Sequence, residues 1–150
     1  MNSLFLFYFM IMSFIAMIRM MTQEVGSVIE LGNMLETTGS CGILSYARLA
    51  RGYGNHCGLG GSGKIIDNID ECCYKHDACW NAMNYRMQIN KTYNWGYPGG
   101  GPAMVKCFDC GPGKTKDDKI KCDICKCDRR LAVCVERAIK WGTPCPSFFG

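Results

Sequence analysis

The side chains of this chain best suited to acid–base chemistry are His76, Asp77 and Asp128, and the cysteines around them say how they meet. Cys72 and Cys79 are seven residues apart, and so are Cys127 and Cys134. Seven residues span nearly two helical turns, so each pair projects from one face of its helix. Two such helices packed antiparallel let Cys72 meet Cys134 while Cys79 meets Cys127. The two staples then sit about 10 Å apart along the axes, at a rise of ~1.5 Å per residue. From cysteines alone, the equal spacing is also open to coincidence.

His76 lies between Cys72 and Cys79 on the same face, so it points into the gap between the helices. Asp128, next to Cys127, enters that gap from the other side. An imidazole with one nitrogen held by a buried carboxylate is fixed in tautomer, and its other nitrogen can take a proton. That is the arrangement of a general base acting on water. A lone helical histidine is more often structural; a partner carboxylate shifts the balance to catalysis. Asp77 leaves the helix about 100° further round, towards the glycine-rich loop 52–63. Small residues let backbone carbonyls approach an ion, and carbonyls plus one carboxylate form a hard-oxygen site suited to calcium. A bridge from Cys57 to Cys73 would pin that loop beside Asp77. Glycine in a loop is weak evidence alone, since turns use it freely.

The elements that must position these groups follow from hydrophobic periodicity. Val28, Ile29, Leu31, Met34 and Leu35 predict a short amphipathic helix before Gly39. Residues 66–87 read as a long helix with Ile66, Ile69, Cys73, His76 and Trp80 on one side. Residues 93–102 (YNWGYPGGGP) must be loop. The runs AMVKCF and KIKCDI around a Gly-Pro-Gly turn predict a small hairpin between Ala103 and Lys126. Cys127 to Lys140 is the second long helix, with Leu131, Cys134, Val135 and Ile139 as its stripe. The expected fold class is mainly α and disulfide-rich: two long antiparallel cross-linked helices, a short N-terminal helix, a calcium loop and a small β-hairpin.

A chain of 150 residues with twelve cysteines fits one domain from an oxidising compartment, where bridges supplement a limited core. Leu4 to Ile18 is an uncharged apolar run, shorter than a comfortable membrane span and closer to the core of a signal peptide. No Lys or Arg precedes it, and Ala16 and Thr22 are weak cleavage candidates. Residues 1–23 are read as signal peptide with a possible short propeptide ending near Arg19 or Gln23, and 24–150 as the secreted, extracellular domain. A membrane anchor is the alternative. The net charge of +4 is well short of a nucleic-acid binder and compatible with weak attraction to an anionic membrane. Asn90-Lys91-Thr92 is an N-glycosylation sequon if the chain is secreted.

Three segments carry a family resemblance. YGNHCGLGGSG (53–63) followed by DECCYKHDACW (70–80) resembles the calcium loop and active-site helix of the secreted phospholipase A2 family, and CKCDRRLAVC (125–134) resembles its second long helix. The resemblance implies that His76 is the catalytic base and Asp128 its orienting partner. It implies calcium bound by the Asp77 carboxylate and the carbonyls of His56, Gly58 and Gly60. The Gly58 amide and the ion would stabilise the oxyanion formed when water attacks the sn-2 ester of a phospholipid, with no acyl-enzyme. It implies a monomer acting at a phospholipid membrane surface.

Departures from the family pattern are informative. Asn55 stands where vertebrate forms have a half-cystine, so that loop-to-tail bridge is absent or rerouted. His56 replaces a tyrosine, a harmless change if only its carbonyl is used. Ile65 replaces a proline. Trp80 replaces the tyrosine that bonds the aspartate; its indole, Tyr93 or Tyr97 could compensate. These differences point to a divergent branch, an invertebrate one among the options. By analogy the remaining cysteines would pair as Cys41–Cys107, Cys110–Cys125 and Cys122–Cys145.

Two rival readings remain at this level. Cys107-x-x-Cys110 and Cys122-x-x-Cys125 have the spacing of a structural zinc ribbon. The scaffold could also be a non-catalytic membrane- or receptor-binding module, a reading that Trp80 keeps open although His76 and Asp77 are intact. The first helix is expected to lean on the membrane beside the pocket; a core-facing stripe explains the same pattern.

Overall fold

In the computed structural model, which describes residues 10–12, 26–83 and 89–147, four helices and a two-stranded ladder surround one core. The proposed leader, 1–23, lies outside the described residues except for 10–12, as does the expected end of the first long helix beyond 83. In chain order the elements are α1 (Gly26–Thr38), α2 (Ile43–Gly52), α3 (Asn68–Ala82), β1 (Trp95–Gly96), a 3-10 turn (Pro102–Met104), β2 (Lys106–Cys107) and α4 (Lys116–Lys140).

The largest contact joins α3 to α4. Cys72 is bonded to Cys134 and Cys79 to Cys127, which makes the two helices antiparallel. Ile69, Ile124, Leu131 and Val135 fill the core around the seam, each no more than 5% exposed. Bridges of this kind typically add about 2–4 kcal/mol each. α1 lies against α2 and α4, with Met34 and Leu35 in the core. Ile66, expected on the buried side of α3, is exposed, because it precedes the N-cap. Asp67 caps α3 by accepting from the Asp70 amide.

Several expectations are corrected. KIKCDI is not a strand: α4 begins at Lys116, eleven residues before Cys127, because Thr115 and Asp118 form a reciprocal capping box. The ladder instead pairs Trp95 with Cys107 and Gly96 with Lys106, so the loop expected at 93–102 holds one strand. α2 had no counterpart in the periodicity reading; it buries only Tyr46 and Leu49. The guessed pairings of the last six cysteines are all wrong. Cys41 is bonded to Cys145, Cys107 to Cys125 and Cys110 to Cys122. Starting the helix at Lys116 puts Cys122 and Cys125 on it, three residues apart on one side, where both face the incoming 107–110 segment. With all twelve cysteines in disulfides, the zinc-ribbon reading has no thiolate to use.

Candidate active site

The seam between α3 and α4 opens into an apolar cavity of about 350 Å³. His76, Asp77 and Trp80 from α3, Asp128 and Leu131 from α4, and His56, Gly58 and Leu59 from the glycine loop contribute to its wall. Val28, Ile29, Leu31 and Leu35 of α1 and Ile43, Ala47 and Leu49 of α2 complete it. Gly60 is not part of this wall.

His76 Nε2 is 2.6 Å from Asp128 Oδ1. The other Asp128 oxygen accepts from the Tyr93 hydroxyl, also at 2.6 Å. Asp128 is 1% exposed, so both bonds offset the burial of its charge. Burial, and then the charge of Asp128, pushes the Tyr93 hydroxyl far above its ordinary pKa, so it stays a donor. Trp80 Nε1 stands 3.0 Å from the same His76 nitrogen. One ring nitrogen cannot donate to Asp128 and accept from Trp80 together. The shorter contact to a carboxylate is the stronger, so Nε2 carries the proton and the indole serves as a wall against the ring edge. Trp80 therefore does not take over the bond to the aspartate; Tyr93 holds it. Tyr97 is elsewhere, accepting from the Gly101 amide.

Asp77 reaches the same wall one position on. Burial raises its carboxyl pKa, opposed by the neighbouring His76 and His56. The loop facing it is held from behind by Asp70, fully buried at the start of α3. Asp70 Oδ1 accepts from the amides of Asn55 (2.9 Å) and His56 (2.7 Å), and Oδ2 from that of Ile66 (3.1 Å). Gly54 passes so close, at φ +60°, that a Cβ there would meet Asp70 Oδ1 at 2.5 Å. The Tyr53 hydroxyl donates to Asp67, and Cys57 is bonded to Cys73. The His56 side chain is not idle: it is 6% exposed, its Nε2 bonds the Gly63 carbonyl at 3.0 Å, and its ring meets Tyr74 edge-on. The unbridged Asn55 bonds the Lys64 carbonyl through its side chain.

This loop suits a hard cation. The carbonyls of Tyr53, Asn55, Gly63 and Lys64 accept hydrogen bonds. Among the described residues, those of His56, Gly58 and Gly60 accept none, nor do those of Gly54, Cys57, Leu59, Gly61 and Ser62, so the loop offers a run of free carbonyls rather than a marked three; Gly58 and Gly60 have positive φ. Oxygen donors without internal partners, with the Asp77 carboxylate on the same cavity wall as His56 and Gly58, are of the chemical kind calcium takes.

Asp70 and the His56 ring escaped the sequence reading. The only local signal for Asp70 was its place three residues after a capping Asp67. Its partners are amides, which leave no side-chain signature.

The Phospholipase A2 family model matches residues 28–142. An acidic phospholipase A2 of Macrovipera lebetina transmediterranea is 36% identical over 110 residues, covering 73% of this chain and 70% of the relative. The rat protein "Phospholipase A2, membrane associated" is 36% identical over 118 residues, covering 77% and 72%. A basic phospholipase A2, nigroxin B, of Micrurus nigrocinctus is 32% identical over 117 residues, covering 75% and 86%. With the stapled helices, the walled His–Asp pair and this breadth of match in agreement, the chain belongs to the phospholipase A2 family of enzymes.

Proposed function

We propose that the chain hydrolyses the sn-2 ester of glycerophospholipids at membrane surfaces in a calcium-dependent reaction, releasing a fatty acid and a lysophospholipid. The observation that carries this reading is the 2.6 Å contact of His76 with buried Asp128 inside an apolar cavity that also receives Asp77 and the glycine loop. With Nε2 committed to Asp128, Nδ1 of His76 is the base that takes a proton from water. Asp128 holds the ring and stabilises the imidazolium that follows, and Tyr93 holds Asp128. Asp77 and the carbonyls of His56, Gly58 and Gly60 would hold calcium, which when bound supplies Lewis acidity at the ester oxygen. The Gly58 amide donates to the oxyanion. The apolar walls accept the acyl chains and keep bulk water out.

Ile29, Ile43 and Leu59 line the cavity yet are 48%, 47% and 72% exposed. Such a rim fits a lipid surface better than water. Six disulfides favour an extracellular site of action. Among the described residues no helix is long and apolar enough to cross a membrane. We read 24–150 as the secreted domain acting as a monomer, without a nucleic-acid partner. Asn90, exposed in a turn, is the glycan acceptor.

Fatty-acid release from phosphatidylcholine vesicles, with calcium and then with chelator, tests the reading. Release should need calcium, and should be lost in Asp77→Lys together with calcium binding. Chelator-resistant release refutes the metal role. A charge at Ile29 should lower release from vesicles more than from a monomeric ester; equal losses would remove the membrane-facing role of the rim.

A further inference from the structure

Helix α1 has a glycine in its interior that the backbone does not require. Gly32 is not among the positive-φ glycines, and glycine is less favourable than alanine inside a helix. Close packing does not require it either. A Cβ built at Gly32 meets no heavy atom within 4 Å, whereas one at Gly26 would meet Thr92 at 2.9 Å and one at Gly39 the Tyr46 hydroxyl at 1.8 Å. Gly26 and Gly39 are thus explained by their neighbours; Gly32 is not.

What Gly32 faces is the cavity. It is half-buried and forms part of the wall together with Ile29 one turn before it and Ala47 of α2. A side chain there would occupy space that the cavity now has. The bare position therefore widens the channel between α1 and α2 rather than relieving any contact. An extended saturated chain fills a narrow slot, but cis double bonds bend a chain and enlarge the cross-section it sweeps. Lateral room in an apolar wall selects for the second kind of ligand.

We propose that Gly32 is a specificity-determining position that lets the channel take sn-2 acyl chains bent by several cis double bonds, an inference that rests on the phospholipase reading above. Its effect is on chain shape; headgroup and calcium are recognised elsewhere.

The test is competition within one vesicle. Two phosphatidylcholines share an sn-1 palmitoyl chain and differ at sn-2, palmitoyl in one and arachidonoyl in the other, so surface binding cancels in the ratio of fatty acids released. Gly32→Leu should lower the arachidonate-to-palmitate ratio about ten-fold, the scale on which an apolar pocket discriminates size. Gly32→Ala should lower it by less while raising the thermal midpoint, and it carries the test if the leucine variant fails to fold. An unchanged ratio in the folded variants overturns the assignment of Gly32 alone. A wild-type chain that releases neither acid overturns the hydrolase reading, and this inference with it.

Discussion

Asp70 and Asp128 are the same side chain in nearly the same degree of burial, 0% and 1% exposed, yet they serve the molecule in different ways. Asp70 is surrounded by backbone amides from the glycine loop and its exit. Asp128 is surrounded by side chains, an imidazole and a phenol. Amide protons do not leave at any working pH, so the Asp70 cluster is fixed, and what it fixes is the shape of a loop. The imidazole held by Asp128 has a second nitrogen that can take up a proton, so that cluster can take part in a reaction. A buried carboxylate is costly unless compensated. Whether the compensation builds architecture or chemistry depends on whether its partners titrate.

That contrast can be broken by experiment. The largest effect is expected at His76→Gln, which should lower kcat by about 10³-fold, within the range for loss of a general base, and leave the unfolding midpoint almost unmoved. Asp70→Ala should show the opposite signature. It strands three amides, so unfolding in denaturant should show a loss of about 3 kcal/mol, and calcium titration a weaker site. If Asp70→Ala spares both stability and calcium affinity, the division between the clusters fails.

Smaller changes sharpen it. His56→Phe keeps the ring against Tyr74 but removes the bond to Gly63; calcium affinity measured by calorimetry should fall about five-fold, as for one hydrogen bond of about 1 kcal/mol. Tyr93→Phe should cost about 1 kcal/mol near neutral pH. It should also flatten the alkaline limb of stability. With its folded pKa raised, the tyrosine contributes fully below 10, its unfolded value, and that contribution declines as pH rises beyond it. The smallest effect belongs to exposed Asp117, whose pKa Lys121 and Lys91 lower to about 2. Its contribution is present above its ordinary value and is lost as pH falls towards 2. Asp117→Asn should erase that acid limb at low salt, and added salt should hide the difference.

Where residues repeat on a local lattice, the chain spells out its own geometry. The seven-residue spacings at Cys72–Cys79 and Cys127–Cys134 need only the helical repeat to become two staples, and His76 is carried between them. The mainly helical, disulfide-rich class was legible for the same reason. Tertiary structure alone decided what depends on distant loops meeting. Nothing local chooses Cys145 for Cys41 across 104 residues, or sets Asp70 beneath amides fourteen and fifteen positions away, because loop-closure entropy varies too slowly with length to favour one partner. α2, ten residues long with Tyr46 and Leu49 buried three positions apart, went unread although its apolar residues do gather on one face. The Tyr93 bond to Asp128 was one option among several until packing brought the segment after α3 against α4. Periodicity can tell a side chain which way to face; only the assembled core can tell it what it will meet.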